Sequence, residues 1–244
     1  HVEISKKAFK IALVIATIFS IGQLITGHQS AHGVAENQPA KLAALEGHYD
    51  KYAAADMYLF GWVNKSEQEV YGLRIPGGLS FLTHWDFNEP VKGLNYFEED
   101  ERPSAVNAVF QFYHIMISIG MLLIAITLLA SFLWWRGKLF KYRWLLWIFV
   151  IAVLLPQISN QTGWFAAEMG RQPWVVYGLL RTSDALSVSV NASHVVFSLI
   201  MFTIIYVILF ALFIYLLDKK IRKGPYDEGV DISRSKQQEM AESI

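Results

Sequence analysis

The 244-residue chain is 54% hydrophobic and 14% aromatic against 17% charged, with no cysteine and a formal net charge of zero. Its mean hydropathy of +0.32 exceeds ordinary globular usage and points to several membrane spans. Zero net charge gives no electrostatic case for nucleic acid, and the lack of thiols excludes disulfides, thiolate metal sites and cysteine nucleophiles. Any metal has to be held by His, Met, Asp or Glu.

A helix needs roughly 20 apolar residues to cross a hydrocarbon core of about 30 Å. Four runs meet that requirement: Phe9–Thr26, Val106–Trp135, Trp144–Ala167 and Val190–Leu217. Lys6, Lys7 and Lys10 flank the first run, Arg136, Lys138, Lys141 and Arg143 join the second to the third, and Lys219, Lys220, Arg222 and Lys223 follow the fourth. If the spans alternate, all three clusters fall on one side, which the positive-inside rule makes cytoplasmic. The expected fold is all-α integral membrane, with four transmembrane helices and a long extracytoplasmic loop. Residues 1–27 form the first span, 28–105 the loop, 106–223 three further spans with a short outer connection at 170–174, and 224–244 a polar, flexible cytoplasmic tail.

Within the long loop, Gln38–Phe60 has a helical pattern and Ile75–Gly78 (IPGG) a turn pattern. A connection of that length is functional or disordered, and its aromatic and aliphatic content favours folding on the membrane surface. His28, His32, His48 and His84 have no zinc spacing. In the second span Gln111, His114 and Ser118 share one helical face, while Phe112, Met116 and Gly120 share another. A methionine with glycine one turn away leaves a cleft for a flat ring, and methionine is a known axial haem ligand. Plain helix packing explains the same pair. In the third span Gln157, Asn160, Gln161, Trp164 and Glu168 recur at three- and four-residue spacing, a face expected to look into protein. An acid at membrane depth is a functional-site hypothesis by default; a headgroup-level Glu168 ending the helix beside a solvated Arg171 fits the periodicity equally well. The chain has no phosphate-cradling glycine loop, nucleophile elbow or dinucleotide fingerprint.

The segment GWFAAEMGRQPW, Gly163–Trp174, resembles the signature of subunit I of cytochrome bd quinol oxidases. GHQSAHGVAENQPAKLAALEG (Gly27–Gly47) is similar to the start of that family's quinol-binding loop, and FGWVN (Phe60–Asn64) with RIPGGLSFL (Arg74–Leu82) to its continuation. FYHIMISIG (Phe112–Gly120) resembles its haem-ligand helix. The likeness covers about residues 5 to 220 but only the C-terminal half of a usual subunit I, which implies half of a larger helical bundle. By position it implies Met116 as a ligand of the low-spin haem b558 and Glu168 as the acid at the iron of the high-spin haem b595, beside haem d. It implies Lys41 and Glu46 for quinol oxidation. Trp164 and Arg171 would line the haem region, where a guanidinium offsets propionate charge. His114 stands where many members have arginine, and an imidazole carries less fixed charge; its spacing from Met116 puts it on another face.

The resemblance therefore implies a respiratory enzyme of the prokaryotic cytoplasmic membrane. It would oxidise quinol at the outer loop and pass electrons through haem b558 to haems b595 and d, which reduce oxygen to water. The alternative is a related subunit that oxidises quinol and hands electrons to another partner. Implied partners are the N-terminal half of subunit I, on the same or a separate chain, subunit II, a small accessory membrane subunit, and lipid. Ubiquinol and menaquinol stay equally open as substrates. A cofactor-free scaffold or transporter would explain the spans but not Lys41, Glu46, Met116 and Glu168 together.

Overall fold

The computed structural model describes residues 2–50 and 52–224; apart from Gly224, the expected cytoplasmic tail lies outside the described residues. Four helical segments are long and apolar enough to cross a membrane: Val2–Asn37, Glu99–Trp135, Arg143–Arg171 and Ala192–Lys223. They match the four expected spans. The chain divides into two compact units, residues 6–186 and residues 187–224 with the first few N-terminal ones.

In the larger unit, helix α1 (Val2–Asn37) runs well past Thr26 into the expected loop. It stops where Pro39 denies helical geometry to Gln38, which sits at φ −141° and ψ 60°. Pro39 then opens the short helix α2 (Pro39–Glu46), which ends on Gly47 in the left-handed region at φ 65°, with the Gly47 N–H on Ala43 O. The helical pattern anticipated through Phe60 is therefore cut short. The chain turns instead into strands β1 (Tyr52–Ala54), β2 (Met57–Asn64) and β3 (Glu69–Ile75), whose aromatic and β-branched residues suit a pleated surface. After helix α3 (Gly78–His84), strand β4 (Pro90–Lys92) pairs antiparallel with β1.

The β2–β3 hairpin sets Gly61 against Gly72 and Val63 against Val70 on one face. That face lies on helix α4 (Val106–Trp135). The Gln111 Nε2 donates to Gly61 O at 2.7 Å, and the Val63 N–H donates to Asn107 Oδ1 at 3.1 Å. Ala43, Ala44 and Leu45 of α2, Val63 of β2, Val109 and Phe110 of α4, and Ala166 share one buried core. The long connection is thus folded onto the start of α4.

The third span is two helices, α5 (Arg143–Ala152) and α6 (Leu155–Arg171). Pro156 in the first turn of α6 lacks the N–H that would bond back across the junction, so the ladder breaks at Val153 and Leu154. At the far end of α4, Leu13, Ala130, Leu139 and Leu145 form a second core with Phe9, and Thr17 Oγ1 lies 3.0 Å from Ser131 Oγ. Beyond α6, strands β5 (Trp174–Val176) and β6 (Leu180–Arg181) make a small antiparallel pair. The smaller unit holds α7 (Ala192–Lys223), apolar all round and with no buried residue.

A Cβ at Gly47 would lie 2.7 Å from Val70 Cγ2 and 3.0 Å from Val63 Cγ2, on a residue already left-handed. Gly47→Ala is expected to cost about 2 kcal/mol from backbone handedness and crowding together. A melting curve of the variant should show a lowered midpoint, and an unchanged one would mean that α2 does not depend on this turn.

Candidate functional site

The site is organised by a stripe of small residues on α6. Gly163 and Gly170 lie seven residues apart, two helical turns, with Ala166 buried between them. A Cβ at Gly163 would sit 2.5 Å from Met116 Sδ, and one at Gly170 would sit 3.2 Å from both Lys41 Cγ and Val109 Cγ1. The missing side chains let α4 and α2 approach this closely. Ser159 Oγ donates to Met116 O at 3.2 Å, and Phe112 stacks on Phe165 with centroids 5.2 Å apart. The Phe112–Met116 face of α4 is therefore the one that meets α6.

The Gln111–His114 face meets the hairpin. His114 is buried, with Nδ1 2.8 Å from Phe110 O and Nε2 2.8 Å from Tyr58 O. Both partners are acceptors, and a neutral imidazole donates to only one of them. Both ring nitrogens are thus engaged by backbone, which leaves neither directed at a metal.

Lys41 reaches over Gly170 into a narrow cleft of about 10 Å³ shared with Gln38, Glu101, Arg171, Trp174 and Tyr177. Arg171 is ion-paired with Glu168 through one guanidinium nitrogen, while its Nε is buried without a partner. Trp174 Nε1 and Gln38 Oε1 are likewise buried and unpartnered. Burial, and then the Arg171 charge, hold the Lys41 ammonium below its ordinary range, and Glu168 partly offsets them. Lys41, Arg171 and Trp174 together present unspent N–H donors, a set suited to a hydrogen-bond acceptor such as a carboxylate.

Glu46 belongs to different surroundings. Five residues along α2 from Lys41, it is rotated by roughly 140° at 100° per residue. Its side chain faces α4 and β2, where polar groups of the Tyr113 side chain and the Tyr58 backbone favour its ionised form. It is only 2% exposed, and its Oε2 has no partner. Burial pushes the carboxyl up to about 8, against the downward pull of those polar groups. The structure thus brings Lys41 together with Glu168 and Arg171, and Met116 onto the same helix, but sets Glu46 apart. Trp164 is 58% exposed, on an outward face of α6 with Gln157, Asn160 and Gln161.

Sequence reasoning did not single out Tyr113, Gln38, Gly163 or the Trp174 indole. The glycines carry a signal in their seven-residue spacing. Gln38 and Tyr113 carry none without knowledge of which face α2 presents to its neighbours.

This architecture is matched by known proteins. The sequence profile for "Cytochrome bd terminal oxidase subunit I" matches residues 1–225, and the chain belongs to that family. It is 38% identical over 234 residues to the "Putative cytochrome bd menaquinol oxidase subunit I" of Bacillus subtilis (strain 168), covering 94% of this chain and 51% of that protein. It is 33% identical over 230 residues to the "Cytochrome bd ubiquinol oxidase subunit 1" of the same organism, covering 90% and 49%. The solved structure of bd oxidase from Geobacillus thermodenitrificans superposes with a TM-score of 0.73 at 32% identity, over 90% of this chain and 50% of that one. The chain spans about half the length of the curated relatives it matches. Fold and family together make it a multi-pass membrane protein.

The Glu46 carboxyl has a pH consequence. Folded, it keeps its proton to about pH 8; unfolded, it loses it near 4.5, so stability falls as pH rises between the two. Glu46→Gln removes this loss, on the order of 3 kcal/mol near pH 7. The melting temperature of the variant should exceed that of the wild type at pH 8 and converge with it near pH 4.5. Parallel curves across that range would contradict the buried, protonated carboxyl.

Proposed function

We propose that this chain is one part of a membrane quinol:oxygen oxidoreductase of the cytochrome bd type, with the long connection between the first two spans facing outward. The observation that carries this reading is the meeting of Lys41, from that connection, with Arg171 of α6 and Trp174 in one donor-rich cleft, beside the ion pair of Arg171 with Glu168. Haems b558, b595 and d, when bound, carry electrons from quinol to oxygen. Met116, whose thioether lies against Gly163, would hold the iron of the low-spin haem b558. Glu168 lies on the outward face of α6, where its carboxylate suits the iron of a high-spin haem. The unpartnered Arg171 Nε and Trp174 Nε1, with Lys41, fit a haem propionate.

Trp164, Gln157, Asn160 and Gln161 lie along an exposed α6 face that is too polar for lipid. We assign this face to the N-terminal half of subunit I, with subunit II and a small accessory subunit completing the enclosure. Quinol oxidation needs a base for the hydroxyl protons and a cation for developing oxyanion charge, roles that Glu46 and Lys41 fill from opposite sides of α2. The base and the cation therefore contact different parts of the substrate or act at successive steps.

The test is quinol-driven oxygen uptake by the purified complex containing this chain. Two quinols should be consumed per oxygen, and Lys41→Ala should lower kcat/KM at least tenfold, as loss of one stabilising charge does at an enclosed site. Quinol oxidation that proceeds only with an added acceptor, without oxygen uptake, would establish instead a subunit that hands its electrons to another partner.

A further inference from the structure

The Trp174 indole is gripped by a residue that lies outside the donor-rich cleft. Arg181 is its cross-strand partner in the β5–β6 pair, and the guanidinium carbon sits over the Trp174 ring, 5.1 Å from its centre. A planar guanidinium is drawn to an aromatic face by the ring quadrupole. The far end of Arg181 is anchored in turn: its Nη2 donates to Asp100 Oδ2 at 2.7 Å. Asp100 belongs to the 3₁₀ turn Glu99–Glu101, whose last residue, Glu101, lines the cleft together with Trp174. The contact therefore joins the segment ahead of α4 to the strands that follow α6. Thr182, next to Arg181, closes the same hairpin, with its N–H on Pro173 O at 2.9 Å and its hydroxyl on Gln172 Oε1 at 2.7 Å.

The Arg181 and Asp100 side chains are 35% and 59% exposed, and an ion pair this open to solvent adds little stability by itself. What it fixes is direction. Trp174 Nε1 is buried without a partner, and the cleft that Trp174 lines, about 10 Å³, has room for about one oxygen-sized group. An acceptor so confined cannot follow a donor that swings away.

We propose that Arg181 is a positioning residue for the cleft: set over the Trp174 ring and tied to Asp100, it aims the indole N–H at the carboxylate oxygen that Lys41 and Arg171 also serve. This rests on the reading of the cleft as the seat of a haem propionate. No covalent bond is made or broken. The other groups beside the indole do not supply this hold. Tyr177 is a neutral ring 5.9 Å away that meets Trp174 at 61°, Arg171 is ion-paired with Glu168, and Lys41 packs its stem on Gly170.

The ultraviolet resonance Raman band of the indole N–H, identified in the purified complex as the one lost in Trp174→Phe, reports the hydrogen bond directly. Arg181→Gln should move it toward the position of an indole without an acceptor. The second reading is the midpoint potential of the haems in a spectroscopic titration. Losing a donor to a propionate leaves more negative charge beside the iron, so Trp174→Phe and Arg181→Gln should each lower the potential of the same haem. Because Arg181 acts through the indole, Arg181→Gln should add nothing in the Trp174→Phe background. An unmoved indole band, or a shift of potential by Arg181→Gln that persists in full without the indole, would overturn the proposal. If Arg181→Gln does not assemble, Asp100→Asn removes only the anchor and should displace the band in the same direction by less, and no displacement would overturn the proposal equally. Trp174→Phe with every haem potential unchanged would instead defeat the reading of the cleft as a propionate seat, whatever the indole band reports of Arg181.

Discussion

The close approach of α4 and α2 to α6, permitted by Gly163 and Gly170, is the constraint on which the rest of the site depends. A side chain at Gly163 would collide with Met116 Sδ, and one at Gly170 would press on Lys41 and Val109 together. Membrane helices gain little from hydrophobic exclusion, so close van der Waals contact across small residues has to hold them. Here the same contact positions functional atoms. Met116 and Lys41 come from segments far apart in sequence, yet both are seated on one helical stripe.

That seating separates two kinds of charge. Lys41 enters a cleft with an arginine that is itself ion-paired to Glu168, and with buried N–H groups without partners. Glu46 faces neutral hydroxyl and amide donors in a dry core. Were the two on one face of α2, they would form an ion pair, and each would lock the other in its charged form. Held apart by the helical rotation, the carboxyl is free to change protonation near neutral pH while the ammonium stays available to an anion. One eight-residue helix thus serves two electrostatic environments, and Gly47 ends it where the hairpin has to turn in beneath.

The membrane architecture was legible because hydropathy and lysine placement extend over tens of residues. The two faces of α4 were legible as well: Phe112 and Met116 do meet α6, and Gln111 and His114 do meet the hairpin. Local stops were less so. The alanine-rich pattern after Gln38 continues smoothly through Ala53–Ala55, and only the tight surroundings of Gly47 decide that the helix ends there. Pro156 was inside an apolar run whose length concealed the break between α5 and α6. The resemblance placed Lys41 and Glu46 in one role, but a five-residue spacing on a helix cannot put them on one face. Tyr113 was invisible because its significance depends on the side of α2 that α4 touches, which is a tertiary fact.

The central proposal is that the Met116 thioether, seated against Gly163, would hold the iron of a low-spin haem. Its most direct test is the reduced-minus-oxidised optical spectrum of the purified complex carrying Met116→Leu, set beside the wild type. Leucine keeps the volume and removes the sulfur donor. The account predicts haem b and d bands in the wild type and selective loss of the low-spin b signal in the variant. A low-spin band unchanged in the variant, or a wild-type complex without haem, would contradict it.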